Sequence, residues 1–170
     1  DAGLPDQPMH VAGILTGNAV DSGWMGDRRA VDWSDAVEAV QRISDRIGAK
    51  LTLDQPKAED VPAQWHPGRA ARVMAGDTFV GMVGELHPHV NEALGFPAHS
   101  AAFELNLTAL FATLSGKPVQ AKPISTFPPV KQDLAFTVST DVTAAELKQV
   151  IVEAAGDSLE SIELFDVYTG

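Results

Sequence analysis

Apolar positions along this chain change their period several times, and each change marks an element. From residue 36 to 47 they recur every three or four residues, as Ala36, Val37, Val40, Ile43 and Ile47. That spacing gathers them on one face of an α-helix. Asp35 and Glu38 have the spacing of an N-terminal box, and Gly48 stands where a helix would stop. The flanking pattern is strand-like. Residues 9–17 predict a buried strand ended by Gly17-Asn18, and residues 51–53 a short one. Pro56 and Pro62 break the chain into a loop. Residues 69–75 and 78–85 then flank a Gly76-Asp77 turn as a hairpin. A short helix is predicted over Pro88–Leu94, with Pro88 at a favoured early position and Gly95 just past its end. Residues 101–106 read as another strand, and Thr108 as the cap of a helix bearing Leu110, Phe111 and Leu114.

Residues 116–128 are rich in Gly and Pro, which predicts a linker. Beyond them Leu134, Phe136 and Val138 alternate with smaller or polar residues, the period of a half-buried strand. Thr143-Ala-Ala-Glu146 has capping-box spacing, Leu147, Val150, Ile151 and Ala154 share a helical face, and Gly156 stops it. Residues 159–168 supply a second apolar strand. The fold class predicted is α+β: an antiparallel sheet with flanking helices over residues 1–118, a linker at 119–127, and a strand–helix–strand unit over 128–170.

Composition narrows the function. Apolar residues make up 45% of the chain, enough for a packed core. No apolar run approaches the roughly 18–20 residues that span a bilayer, so no membrane role is expected. The first residues, Asp1-Ala-Gly-Leu, lack an initiator Met and any signal-peptide pattern, and they read as an internal start. With no Cys there are no disulfides, thiolate zinc sites or cysteine nucleophiles, as suits a cytoplasmic protein. The net charge of −11 is spread over both parts, with 15 acidic and 9 basic side chains in residues 1–118 and 8 against 3 in 119–170. Charge alone therefore argues against nucleic-acid binding, which needs clustered Lys and Arg.

The densest polar constellation joins His66-Pro-Gly-Arg69 to Gly84-Glu-Leu-His-Pro-His89. Two readings are open. His66, Glu85, His87 and His89 have the donor types of a zinc, iron or manganese site, as in a small metalloenzyme. Alternatively the motif is structural: Gly68 and Gly84 allow close backbone approach, Arg69 pairs with Glu85, and His66 and His87 fix turns. The glycine-bearing strands lack the spacing and the Lys of a phosphate loop, and no nucleophile elbow is present. No catalytic residue, metal ligand or bound cofactor is therefore assigned to this chain. Trp24, Trp33 and Trp65 are too scattered for a stacking platform and read as core or interface anchors. Lys131 and Gln132 precede a strand and Tyr168 ends one, positions from which side chains reach a partner.

In order, these segments resemble the β subunit of bacterial phenylalanyl-tRNA synthetase. The resemblance rests on residues 21–33, on His66-Pro-Gly-Arg-Ala-Ala71, and on Val80-Gly-Met-Val-Gly-Glu-Leu-His-Pro88. It continues through Ala102-Phe-Glu-Leu-Asn106, Phe127-Pro-Pro-Val130, Asp133-Leu-Ala135 and Phe165-Asp-Val-Tyr168. It implies that residues 1–118 are the later part of a class II synthetase-like, catalytically inactive module that packs on an α subunit. Residues 128–170 would then open a ferredoxin-like anticodon-binding domain, with Lys131, Gln132 and Tyr168 as tRNA-contact candidates. Many members carry Arg where this chain has Gln132, so tRNA binding by this chain alone is expected to be weak or absent. ATP and Mg2+ belong to the parent complex. The ferredoxin-like order places a later strand between the first two, which implies that residues 124–170 are loosely held, re-paired, or paired with another copy.

Overall fold

The computed structural model describes residues 3–24, 26–114, 116, 121 and 124–168. It divides into two units, Asp1–Gln120 and Ala121–Gly170. Much of the predicted linker, residues 117–120, 122 and 123, lies outside the described residues.

The first unit is built on a five-stranded antiparallel sheet. Its strands are β1 (His10–Leu15), β4 (Leu51–Asp54), β5 (Trp65–Ala75), β6 (Thr78–Leu86) and β7 (Ala101–Asn106), in the order β1-β7-β6-β5-β4. A two-stranded ribbon, β2 (Asn18–Val20) with β3 (Arg29–Ala30), leads into helix α1 (Trp33–Ile47). Helices α2 (Pro88–Leu94) and α3 (Leu107–Thr113) flank β7 in sequence. Because strand side chains alternate, the sheet has two faces. Val73, Val83, Ala101 and Leu105 point to the side where α1 and α3 pack, meeting Ala36, Val40 and Leu110 in the main core. Ala70, Met82 and Ala102 point the other way and join Trp65 and Leu86 in a smaller cluster that Phe96 adjoins.

Three sequence expectations are corrected here. The strand over residues 9–17 is not buried throughout. It forms the sheet edge, and its residues alternate between exposed and half-buried because only one face meets the core. Helix α1 starts earlier than the Asp35–Glu38 spacing suggested. Asp32 is its N-cap, accepting from the Ser34 amide at 2.7 Å, while the Asp35 carboxylate accepts from the Asp32 amide at 2.9 Å. Glu38 instead pairs with Arg42 one turn on. Likewise α3 is capped by Asn106, whose Oδ1 accepts from the Ala109 amide at 2.9 Å. The Thr108 hydroxyl accepts from the Met9 amide at 2.9 Å, and Leu114 falls just past the helix.

The start of α1 carries an acid-sensitive contact. Asp35 also accepts two bonds from the Arg29 guanidinium, at 2.7 and 2.9 Å, with its own side chain 12% exposed. Those bonds, and then the Asp32 amide, hold its carboxyl down from 3.8 to about 2. A depressed acid adds stability that is complete above its unfolded value and is lost as pH falls through the folded one. Asp35→Asn is expected to cost about 1–2 kcal/mol at neutral pH. It should also flatten the acid limb of the stability profile between about pH 4 and 2. Urea melts across that range check this, and an unchanged acid limb would refute it.

The second unit contains helix α4 (Ala144–Ala155), which begins as its capping box predicts. The Thr143 amide, at 2.8 Å, and then its hydroxyl, at 2.9 Å, donate to the Glu146 carboxylate and lower its pKa, while the Glu146 amide donates back to the Thr143 hydroxyl at 3.2 Å. The inward stripe is Leu147, Ile151 and Ala155, each half-buried, whereas Val150 is 61% exposed. The predicted strands around Leu134–Val138 and 159–168 form no ladder among the described residues. Leu134, Phe136 and Val138 stand exposed. Alternation supplies one side of a strand pair, but the backbone groups of the partner must come from another segment.

Candidate functional site

The His-Pro-Gly-Arg and Gly-Glu-Leu-His motifs meet at the end of the β5–β6 hairpin away from its turn. The register of β5 on β6 shifts between Trp65 and Ala70, and His66, Pro67 and Gly68 fill that irregularity. Pro67 is tolerated because a bulge leaves a residue outside the ladder. The His66 Nδ1 accepts from the Gly68 amide at 3.1 Å and so closes the local turn. Past the bulge Ala70 pairs with Gly84, which places Arg69 and Glu85 side by side on one face. The Arg69 guanidinium donates to Glu85 Oε2 at 2.6 Å, with the Glu85 side chain 5% and the Arg69 side chain 41% exposed. His99 completes the group, its Nδ1 3.3 Å from Glu85 Oε2 and 3.4 Å from Arg69. Its backbone is left-handed at φ 61°, unusual for a residue other than glycine.

Backbone bonds hold the surround. The Leu86 amide donates to the Ser100 carbonyl and the His87 amide to the Gln64 carbonyl, both at 2.9 Å. His87 caps α2, its ring accepting from the His89 amide and stacking on the His89 ring at 5.1 Å. Together these elements wall an open cleft of about 350 Å³. Arg69, Glu85 and Asn91 of α2 line it with polar groups, and Leu86, Phe96 and Ala98 provide apolar wall.

The structure thus gathers His66, Gly68, Arg69, Gly84, Glu85 and His87 into one region, but not as ligands. The geometry does not favour the metal reading. His66 and His87 spend a ring nitrogen on local amides, His89 stacks on His87, and Glu85 is taken by Arg69 and His99. Among the described residues no group of three or more His, Cys, Asp or Glu is placed to hold an ion. Sequence reasoning missed His99 and Asn91. His99 follows Glu85 by 14 residues and carries no spacing signal. Asn91 was legible only as the residue one helical turn after His87.

The remaining candidates behave differently. Lys131, Gln132 and Tyr168 lie in the second unit, exposed and outside any helix or strand. Of the tryptophans, Trp65 is a core residue at 4% exposure and Trp33 opens α1 half-exposed. Trp24 is 95% exposed, at a turn closed by reciprocal Gly23 and Gly26 backbone bonds. No described helix is long and apolar enough to cross a membrane.

Comparison with known proteins adds two family matches in succession. Residues 1–107 match the model described as the phenylalanyl tRNA synthetase beta chain CLM domain. Residues 125–170 match the ferredoxin-fold anticodon binding domain. The chain is 79% identical over 170 residues to the phenylalanine–tRNA ligase beta subunit of Bifidobacterium longum, which covers all of this chain and 20% of that protein. The beta subunit of Mycolicibacterium paratuberculosis is 45% identical over 172 residues, again across the whole chain and 20% of its own length. That of Streptomyces avermitilis is 43% identical over 171 residues, covering 98% of the chain and 20% of the relative. The chain therefore spans about one fifth of the length of the curated relatives it matches.

Proposed function

The chain belongs to the phenylalanyl-tRNA synthetase β-chain family, and from that premise we propose that it supports subunit assembly and tRNA placement in a phenylalanine–tRNA ligase. In this reading residues 1–118 are the later part of a class II synthetase-like module without an active site. Residues 119–127 link it to the opening strand–helix–strand of a ferredoxin-like anticodon-binding domain at 128–170. The observation that carries the reading is the succession of the two family matches on one chain. The arrangement of side chains supports it too. Glu85 is neutralised by Arg69 rather than poised against a nucleophile, and the buried Ser100 hydroxyl donates to the Pro97 carbonyl. In the second unit a well-capped helix stands beside apolar segments without a ladder, as suits strands that pair with segments outside the described residues.

The parent reaction joins phenylalanine to its tRNA with ATP and Mg2+, and this reading assigns that chemistry to the α subunit, in the cytoplasm. Lys131, Gln132 and Tyr168 are the proposed contacts to the anticodon stem-loop. With a net charge of −11, the chain alone is expected to hold tRNA no tighter than about 10⁻⁴ M at physiological salt.

The test mixes the purified chain with the α subunit of a related ligase. Co-elution on size exclusion is expected, as is no phenylalanine-dependent ATP–pyrophosphate exchange from the chain by itself. Exchange without the α subunit, or separate elution of the two, would overturn the proposal.

A further inference from the structure

Asn91 presents an anomaly that the assembly reading does not use. It is 5% exposed, and its Oδ1 is buried with no hydrogen-bond partner among the described residues. A buried amide oxygen without a donor is costly, and native proteins rarely leave one so. The oxygen belongs to a residue lining the 350 Å³ cleft. Glu85 lines the same cleft, and it uses Oε2 for both Arg69 and His99, so that Oε1 accepts no bond among the described residues.

We propose that this cleft binds a cationic N–H donor, a guanidinium or alkylammonium group. Its charge would meet Asn91 Oδ1 and Glu85 Oε1 while its methylene stem lies along Phe96 and Leu86. Three observations select that chemistry. The unmet groups are acceptors, so the ligand must donate. Arg69 already neutralises Glu85, leaving the exposed Glu92 at the cleft as a net negative charge that disfavours anions. The apolar walls suit a stem of several carbons rather than a bare ion.

The donor has two sources, a free small cation or an Arg or Lys side chain on a polypeptide segment. Agmatine represents the first and Nα-acetyl-arginine amide the second, each titrated calorimetrically into the full chain. Saturable binding with Kd on the order of 1 mM is expected for a ligand this small. The uncharged analogue N-butylurea should bind at least about tenfold more weakly if the cation is what the cleft selects. Tighter binding of the acetylated arginine amide points to a peptide-borne group, and equal binding to a free cation.

Asn91→Leu keeps the volume and removes the amide. It should weaken agmatine binding about tenfold or more while leaving Tm unchanged or higher, because an unpaired buried oxygen is lost. Glu92→Gln, an exposed change, should weaken binding several-fold at constant Tm. The proposal is wrong if neither cation saturates, or if butylurea binds as well as agmatine. It is equally wrong if Asn91→Leu lowers Tm and spares binding, which would make the amide an ordinary water-paired group. None of these measurements involves tRNA or an α subunit, so this inference fails or stands apart from the assembly reading.

Discussion

Gly84→Ala is expected to be among the most damaging single substitutions in the first unit. A Cβ at this position would lie 2.2 Å from the Arg69 carbonyl oxygen and 2.5 Å from the Ala70 Cα. Both are backbone atoms of the neighbouring strand, so neither can swing aside as a side chain would. The residue also sits at φ 148°, a conformation that L side chains rarely adopt. Relief requires β5 to move off β6, which disturbs the bulge and the Arg69–Glu85 contact next to it. A loss of about 3–5 kcal/mol is expected. For a unit of this size that lowers Tm by roughly 10–20 °C. Gly68→Ala is the control. Its nearest neighbour would be the His66 ring at 3.8 Å, and a change under about 1 kcal/mol is expected. Denaturant melts followed by tryptophan fluorescence compare the two, since Trp65 is buried nearby in the β5–β6 region. Equal stabilities for the two variants would show that the strands do not approach as described.

Arg69→Ala comes second. It strands the Glu85 carboxylate, which is 95% buried at the side chain and keeps only the exposed His99 as a hydrogen-bond partner among the described residues. Removing one partner of a buried ion pair typically costs about 3–5 kcal/mol. Here the Arg69 side chain is 41% exposed, so water reaches the vacated space and screens the charge. The expected loss is therefore nearer 2–3 kcal/mol. Adding Glu85→Leu should recover at least half of that, because the penalty lies in the unpaired charge rather than in the missing pair. A double variant less stable than Arg69→Ala would instead mean that Glu85 is held mainly by its packing and by His99.

These two predictions mark the boundary of what the sequence shows. The His-Pro-Gly-Arg and Gly-Glu-Leu-His motifs are visible as strings, and the Arg69–Glu85 pairing follows from their opposite charges and strand positions. The motifs do not reveal that Gly84 faces backbone, because the close neighbours belong to a strand some 15 residues earlier in sequence. Nor do they reveal His99 or Asn91, which reach the cleft only through the packing of α2 and the connection beyond it. The metal reading was reasonable on residue types. It is not favoured because one ring nitrogen each of His66 and His87 is taken by a local amide and one Glu85 oxygen by Arg69 and His99 once the turns close.

Local chemistry explains which expectations survive. The face of α1, the hairpin turn, the limits of α2 and the capping box of α4 all depend on residues within about one turn of each other. Such relations are written in the chain and need no partner. The α1 cap was misplaced by one box because Asp32 and Asp35 compete for the role. Arg29, at the end of the β2–β3 ribbon, donates two bonds to the Asp35 carboxylate.

By itself the sequence determined the family, the helix and hairpin signals and the acidic balance, because these rest on residue identity and short spacing. The tertiary structure alone decided which strand lies at the edge, that the β5–β6 motifs form an ion-paired knot, and that the Asn91 oxygen is buried without a partner among the described residues. It also left the apolar segments around α4 without a ladder among the described residues. Each of these outcomes depends on atoms supplied by a distant stretch of chain, and no local spacing encodes where those atoms arrive.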